Sequence, residues 1–275
     1  MGRLLAIGPD VGLVAALTPA LREHDLVICA GSVEALQRVR DLAVDVVITD
    51  PNTSVSEDLA LAAELRSIRP GVRLIVMAPA TTHDDVVAAL RAQVFACFAP
   101  PFEYAEVAEM AVSALWAIDW KSGIEVVSGL PYWMTLRVSC HLLNADRLVR
   151  FMTEREDALP AEDRDLLMTA FREMLINAME HGAGFDPDKV IEVTAARTER
   201  AIVYHFRDPG NGFDRQDLAL AVQSRLPEDL IDVTIQREKA GRRPGGFGML
   251  LVKQIADELV YNEQGNEVLL IKHLK

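Results

Sequence analysis

Three polar residues follow one another at helical spacing in the segment from Glu173 to Gly182, which reads EMLINAMEHG. Glu173, Asn177 and His181 are four residues apart, so on a helix they share one face. A carboxylate and an amide one turn apart suit an Mg²⁺ ion that keeps most of its waters. The spacing therefore indicates a polar site on an otherwise apolar helix.

Two glycine clusters follow downstream, Asp208-Pro-Gly210-Asn-Gly212 and Gly245-Gly246-Phe247-Gly248, the second just before a predicted helix. Glycines let the backbone N–H groups come close to a phosphate, and a helix N-terminus favours negative charge. Each motif alone has an ordinary interpretation as a solvated helix face, a turn or a tight loop. Their conjunction, in this order, predicts a nucleotide site.

The order of these elements is helix, two strands, Asp-x-Gly-x-Gly, long loop, glycine cluster, helix and strands. It resembles the GHKL ATPase fold of sensor histidine kinases, gyrase and Hsp90-type ATPases, over roughly residues 125–275. Within that fold, Glu-x-x-x-Asn-Ala-x-x-His-Gly resembles the anti-sigma-factor serine/threonine kinases in particular.

The resemblance implies ATP and Mg²⁺ as ligands and a role for each motif. Asn177 would bind the metal, and Glu173 would orient or deprotonate the attacking hydroxyl group. Asp208 would accept the exocyclic N–H of adenine and thereby reject guanine. The glycines would make room beside the base and hold phosphate, at positions 210, 212, 245, 246 and 248.

Two further parts of the predicted site stay open or depart from the family. His181 either touches the nucleotide or caps the helix before Gly182. The long polar segment 214–244 would be the lid that closes over ATP, and its cations, among them Arg243, are the ones predicted near the γ-phosphate. Pro244 stands where many members have a glycine, which would stiffen the lid hinge.

Composition sets outer limits on the function. The chain has 275 residues, of which half are hydrophobic and a quarter charged, as in globular proteins of two-domain size. Its net charge of −13 argues against direct nucleic-acid binding. We expect no signal peptide, no membrane span and a cytoplasmic location, with Cys29, Cys97 and Cys140 as buried thiols.

A change in charge composition near residue 120 predicts two domains, 1–120 and 121–275. Residues 1–120 contain eight arginines, sixteen acidic residues and no lysine. In this part, short apolar runs alternate with amphipathic stretches, which predicts an α/β fold with a doubly wound parallel sheet of flavodoxin-like order. The predicted strands are 4–7, 26–29, 44–49, 73–77 and 96–99, and the predicted helices are 11–23, 32–42, 56–68, 83–93 and 103–118.

The first domain resembles a response-regulator receiver whose chemistry has been lost. Asp50 ends the third strand, where the family carries its phospho-acceptor. The family's acidic pair, switch Ser/Thr and lysine fall on Gly8-Pro9, Ala78 and Pro100-Pro101. Without a metal and a cation, transfer of a phosphoryl group to Asp50 is disfavoured. We expect Asp50 to be a polar strand end or a loop-capping residue, and the domain to serve regulation, partner docking or homodimer formation.

The second domain is predicted to be an α+β sandwich. Its predicted strands are 133–141, 190–196, 201–207 and 268–273, and its predicted helices run from Asn144 to about 157, from 159 through Asn177, and over 249–258. Residues 116–129 are predicted to be the end of a helix and a connector.

Three functions compete at this point. The first is a signalling serine/threonine kinase that phosphorylates a small partner, either an anti-anti-sigma-like protein or a sigma factor. The second is a non-enzymatic switch whose ATP or ADP occupancy changes which protein it binds. A histidine kinase is disfavoured, because none of the six histidines has the acidic residue and proline pattern of a phospho-accepting helix.

Overall fold

The chain forms two compact units. The computed structural model describes residues 1–117, 123–130, 132–212 and 247–274. Unit one comprises residues 1–122 and 150–156, and unit two comprises residues 123–149 and 157–275. Within the described ranges, no helix is long and apolar enough to cross a membrane.

Unit one contains a five-stranded parallel sheet in the order β2-β1-β3-β4-β5. Its strands are β1 Arg3–Ile7, β2 Asp25–Cys29, β3 Val46–Ile48, β4 Arg73–Met77 and β5 Ala96–Phe98. Its helices are α1 Val11–Ala20, α2 Ser32–Asp41, α3 Val55–Ile68, α4 His83–Arg91 and α5 Tyr104–Trp116. This strand order confirms the flavodoxin-like, doubly wound fold.

Local signals in the sequence explain where these elements begin. Residues of β3 and β5 are all buried, which is why both strands are uninterrupted apolar runs. Ser54 and Thr82 start α3 and α4 with reciprocal capping bonds to Glu57 and Asp85. The three predicted buried thiols are free and buried.

A buried polar cluster joins β3 to α3. The Asp58 carboxylate, 2% exposed, accepts hydrogen bonds from Thr49 Oγ1 at 2.6 Å and Thr53 Oγ1 at 2.7 Å. Thr49 Oγ1 also accepts the Met77 N–H at 3.0 Å, which ties β3 to β4. Burial raises the pKa of Asp58 to about 6 despite these bonds.

Asp58→Asn is expected to stabilise the protein above pH 7 and to have little effect at pH 4. A raised pKa favours the protonated carboxyl in the folded state, so the stability it contributes is lost as pH rises through about 6. An asparagine stays neutral and can direct its Nδ2 to Thr53 Oγ1. We expect a gain of ~1–3 kcal/mol in unfolding free energy at pH 8. Thermal unfolding of both proteins at pH 4 and 8 measures this, with exposed Glu64→Gln on α3 as control; a destabilised Asp58→Asn at pH 8 would contradict it.

Unit two contains a six-stranded antiparallel sheet in the order β10-β11-β9-β8-β7-β6. Its strands are β6 Ile124–Leu130, β7 Trp133–Ser139, β8 Val190–Arg197, β9 Ala201–Arg207, β10 Glu258–Tyr261 and β11 Glu267–His273. Its helices are α6 Leu142–Arg155, whose last residues, 150–155, are grouped with unit one, α7 Ala161–Asn177 and α8 Phe247–Ile255.

Alternating burial shows how this sheet holds its helices. Every second residue of β8 and β9 is buried. Phe171 of α7 packs edge-on to Tyr204 of β9, with ring centroids 4.8 Å apart, and also contacts Phe206. The apolar stripe of α7 therefore fixes this helix on the sheet and leaves Glu173 and Asn177 half-buried. The predicted α+β fold is confirmed.

The structure corrects three expectations about unit two. Residues 124–130 form a strand, although the sequence predicted a connector there. Residues 258–261 form β10, where the sequence extended the preceding helix to 258. Helix α6 begins at Leu142, so Asn144 lies in its first turn instead of capping it, and donates to Ser139 Oγ at 2.8 Å.

Candidate nucleotide site

Helix α7 carries the first two predicted site residues on one face. Glu162 and Asp163 lie in its first turn, where negative charge is favourable. Buried residues fill the face toward the sheet, among them Leu167, Phe171 and Leu175. The opposite, half-buried face presents Glu173 and, one turn later, Asn177, as the spacing predicts.

The helix does not stop at Asn177 but widens into a π-helical turn, Ala178–Gly182. The Ala183 N–H donates to the Ala178 carbonyl at 3.1 Å, five residues back. Single π-turns of this kind are rare in helices and frequent at functional sites. The turn places His181 and Gly182 beside the end of β9, where Asp208 lies.

Asp208 lies close to two glycines, Gly182 at the end of the π-turn and Gly210 in its own loop. Its carboxylate accepts the Gly210 N–H at 2.8 Å, and a methyl group at Gly182 would overlap its Cγ, Oδ1 and Cβ atoms. Burial raises the pKa of Asp208, while the Gly210 N–H and the charge of His181 act in the opposite direction. The structure therefore brings His181 near Asp208. A role of His181 on the nucleotide stays a prediction.

The packing of the loop after Asp208 requires glycine at positions 210 and 212. A methyl group at Gly210 would lie 2.7 Å from the Gly182 carbonyl oxygen, and one at Gly212 would overlap the Gln264 carbonyl group. Gly212 also has a φ of +77°, a conformation that disfavours side chains. Both glycines let the loop after Asp208 pack against its neighbours; their predicted role beside the base stays a prediction.

The beginning of α8 lies against the polar face of α7. Gly248 packs on Glu173, because a methyl group at Gly248 would overlap the Glu173 Oε2 atom. The Asn177 Nδ2 donates to the Met249 Sδ at 3.5 Å. The packing of two helices thus brings Glu173 and Asn177 together with Gly248, which lies 75 residues after Glu173.

This arrangement fits an Mg²⁺ ion held by few protein ligands. With Nδ2 directed at Met249, the Oδ1 of Asn177 is left for a cation, and the Glu173 carboxylate lies one turn away. No cluster of three or more His, Cys, Asp or Glu side chains that could hold a metal occurs in the part of the chain that the structure describes. An ion at Asn177 would therefore keep most of its waters or share phosphate oxygens.

Three predicted site residues, Arg243, Gly245 and Gly246, lie outside the described residues, as does the predicted lid 214–244. Their proposed contacts with phosphate stay predictions. Elsewhere in unit two, a depression of about 510 Å³ is lined by strand residues that include Trp133, Val203 and Leu269. Its lining includes none of the described residues that the sequence predicted for the site, so we do not assign the nucleotide to it.

In unit one, Asp50 and Asp10, at one end of the sheet, are both engaged in hydrogen bonds. Asp50 Oδ1 accepts from the Asn52 backbone N–H at 2.9 Å and from Asn52 Nδ2 at 2.8 Å. Asp10 caps α1 by accepting the Leu13 N–H and is hydrogen-bonded to the Tyr104 hydroxyl group. These bonds agree with the expected loop-capping role of Asp50.

Sequence reasoning missed Met249, which contacts Asn177, and Asn266, which contacts Asp208 and is itself held by Asn262. Met249 follows the last glycine of the second cluster, which was the only local signal. The two asparagines carry a turn signature, but nothing in it indicates the contact of Asn266 with Asp208, 58 residues earlier in the chain.

Comparison with known proteins agrees with this geometry. Residues 140–272 match the family described as the histidine kinase-like ATPase domain. No curated protein matches the chain.

Solved structures similar to this chain include a response regulator and a receiver domain. A response regulator from Thermotoga maritima is 16% identical, with a TM-score of 0.37, over 42% of this chain and 99% of that one. The non-phosphorylated HemR receiver domain from Leptospira biflexa is 16% identical, with a TM-score of 0.38, over 43% and 97% of the two chains. The assignment of the flavodoxin-like fold itself rests on the strand order of unit one.

Proposed function

We propose that this chain is an ATP-dependent serine/threonine protein kinase of the anti-sigma-factor type that acts on a small regulatory partner. The observation that carries the proposal is the Glu173 carboxylate, which lies one turn before Asn177 and against Gly248 at the beginning of α8. The match of residues 140–272 to histidine kinase-like ATPases supports ATP as the nucleotide. The kinase type, the Mg²⁺ requirement and the substrate belong to the proposal.

In the proposed reaction, each described residue has one task. The Asp208 carboxylate accepts a hydrogen bond from the amino group of adenine. The hydrogen bond from the Gly210 N–H and the packing of Gly182 hold this carboxylate in place. Mg²⁺ bound at Asn177 would offset negative charge on the phosphates. Glu173 accepts the proton of the partner's hydroxyl group as that oxygen attacks the γ-phosphorus and ADP leaves.

Nucleotide selectivity provides the first test. We expect the parent chain to bind ATP more tightly than GTP. We also expect its affinity for ATP to be higher with Mg²⁺ than without. Asp208→Asn should lower the preference for ATP by roughly tenfold or more, since its amide can donate to the wrong base. Asn177→Ala should reduce the effect of Mg²⁺ on ATP affinity. Calorimetric titrations of the three proteins with both nucleotides measure this; equal affinities of the parent for ATP and GTP would reject the role of Asp208.

A second candidate function is a non-enzymatic switch whose affinity for its partner differs between ATP and ADP. The contact between Glu173 and Gly248 also fits this alternative: the carboxylate lies at the N-terminus of α8, where a phosphate would bind, so a bound nucleotide would change this contact without any transfer of phosphate. A chain that binds nucleotide, changes its partner affinity and never transfers phosphate would decide for the switch.

We further propose that unit one regulates this activity without being phosphorylated, through partner docking or homodimer formation. Asp50 and Asp10 are engaged in capping bonds. The proposed partner is an anti-anti-sigma-like protein or a sigma factor, with no direct nucleic-acid or membrane contact and a cytoplasmic location. An Mg²⁺-dependent beryllofluoride adduct on Asp50 would contradict the regulatory part of the proposal.

A further inference from the structure

The segment that carries Asp208 is tied to the turn between β10 and β11. The Asp208 N–H donates to the Asn266 carbonyl at 3.0 Å. In return, Asn266 Nδ2 donates to the Asp208 carbonyl at 3.3 Å. Both main-chain polar groups of Asp208 are therefore bound by one residue, which belongs to another hairpin.

Asn262 holds Asn266 in the orientation that this contact needs. Asn262 Oδ1 accepts three backbone N–H groups of the turn, from Gly265 at 2.7 Å, Asn266 at 3.1 Å and Glu267 at 3.2 Å. Its Nδ2 donates to Asn266 Oδ1 at 2.8 Å. With its Oδ1 bonded to Asn262, the Asn266 side chain presents its Nδ2 to Asp208.

The same turn also holds the other end of the loop. Gly212 packs so closely on the Gln264 carbonyl group that a methyl group would not fit. The loop from 208 to 212 is thus held at both ends by the turn 262–267. Within the described residues, the hydrogen bond of the Asp208 side chain is the one that it accepts from Gly210 in the same loop. The direction of the side chain therefore follows the position of the loop's main chain.

We propose that Asn266, oriented by Asn262, is a positioning residue for Asp208 and sets the preference of this protein for purines that carry a 6-amino group. The inference rests on the proposed role of Asp208 in adenine recognition. A carboxylate that has to meet one amino group depends on its main-chain support, because a hydrogen bond weakens steeply when its geometry is lost.

The test compares ATP with purine riboside triphosphate, which lacks only the 6-amino group. The parent chain should bind ATP more tightly than this analogue. Asn266→Ala should lower that affinity ratio by about tenfold, the effect of one misplaced hydrogen bond of about 1.4 kcal/mol, while the affinity for the analogue stays within about twofold. A residue that merely supports folding would change both affinities equally and leave the ratio as it was.

Two further variants on the same turn provide a second test and a control. Asn262→Asp keeps the acceptor for the three backbone N–H groups but loses the donor to Asn266, so the ratio should also fall. Exposed Glu263→Ala should leave the ratio unchanged. If thermal unfolding shows that Asn266→Ala is not folded, the affinity ratio of Asn262→Asp tests the proposal instead.

The outcomes separate this inference from the proposed function. A parent that prefers ATP together with variants that keep the full preference would overturn the role of Asn266 and leave Asp208 intact. An equal loss of both affinities would also overturn it. A parent with no preference for the 6-amino group would reject both the inference and the assignment of Asp208.

Discussion

Phosphoryl transfer is expected to fall on the order of a hundredfold or more when Glu173 is replaced by Gln. Glutamine keeps the size and hydrogen-bonding capacity of the side chain but cannot accept a proton from the attacking hydroxyl group. Because phosphoryl transfer depends on positioning and charge, removal of such a group should lower the rate far more than the affinity for nucleotide. ATP affinity should stay within roughly an order of magnitude.

The assay is the transfer of labelled γ-phosphate to the cognate partner by parent and variant under single-turnover conditions. Glu162→Gln is the matched control, since Glu162 is exposed in the first turn of the same helix. Its transfer rate should equal that of the parent. If Glu173→Gln transfers as fast as the parent, the kinase proposal survives, but Glu173 is not its base.

Gly182→Ala is expected to reduce ATP affinity by roughly ten- to hundredfold. The added methyl group would overlap three atoms of Asp208, including its Cβ, so the side chain cannot simply rotate away. Either the π-turn or the loop at Asp208 must shift, which leaves a buried polar group without its partner. GTP affinity should fall less, because guanine does not use the Asp208 carboxylate in the proposed way.

Comparison with Asp208→Ala separates displacement of Asp208 from general damage. If the two changes act through the same carboxylate, Gly182→Ala should remove no further ATP preference in the Asp208→Ala background. Gly71→Ala is the control for the substitution itself, because a methyl group at Gly71 meets no atom within 4 Å. A Gly182→Ala protein with parental ATP affinity would show that Asp208 is not at the base.

The fold of unit one could be predicted almost completely from the sequence. Four of its strands, β1, β3, β4 and β5, are almost wholly buried, which makes them short apolar runs, and each of the five predicted strands overlaps an observed one. In unit two, β6 was missed for a physical reason. Its pairing with β7 shifts register between Val126 and Ser128, which breaks the alternation that identifies a half-buried strand.

The site was predictable where its chemistry is local and not where it depends on tertiary contacts. The face shared by Glu173 and Asn177 follows from helical spacing alone. The π-turn that brings His181 near Asp208 has no sequence signature. The bonds from Asn266 to Asp208 connect hairpins that only the strand order β11-β9 brings together.

The central claim is that this chain transfers the γ-phosphate of ATP to a hydroxyl group of a protein partner. The most direct measurement incubates the full chain with γ-labelled ATP, Mg²⁺ and a partner isolated with it, and then determines the stability of the labelled bond in acid. We expect acid-stable phosphoserine or phosphothreonine on the partner, formed in step with ADP and absent without Mg²⁺. A partner that stays unlabelled, while its affinity for the chain changes between ATP and ADP, would contradict the kinase and establish the switch.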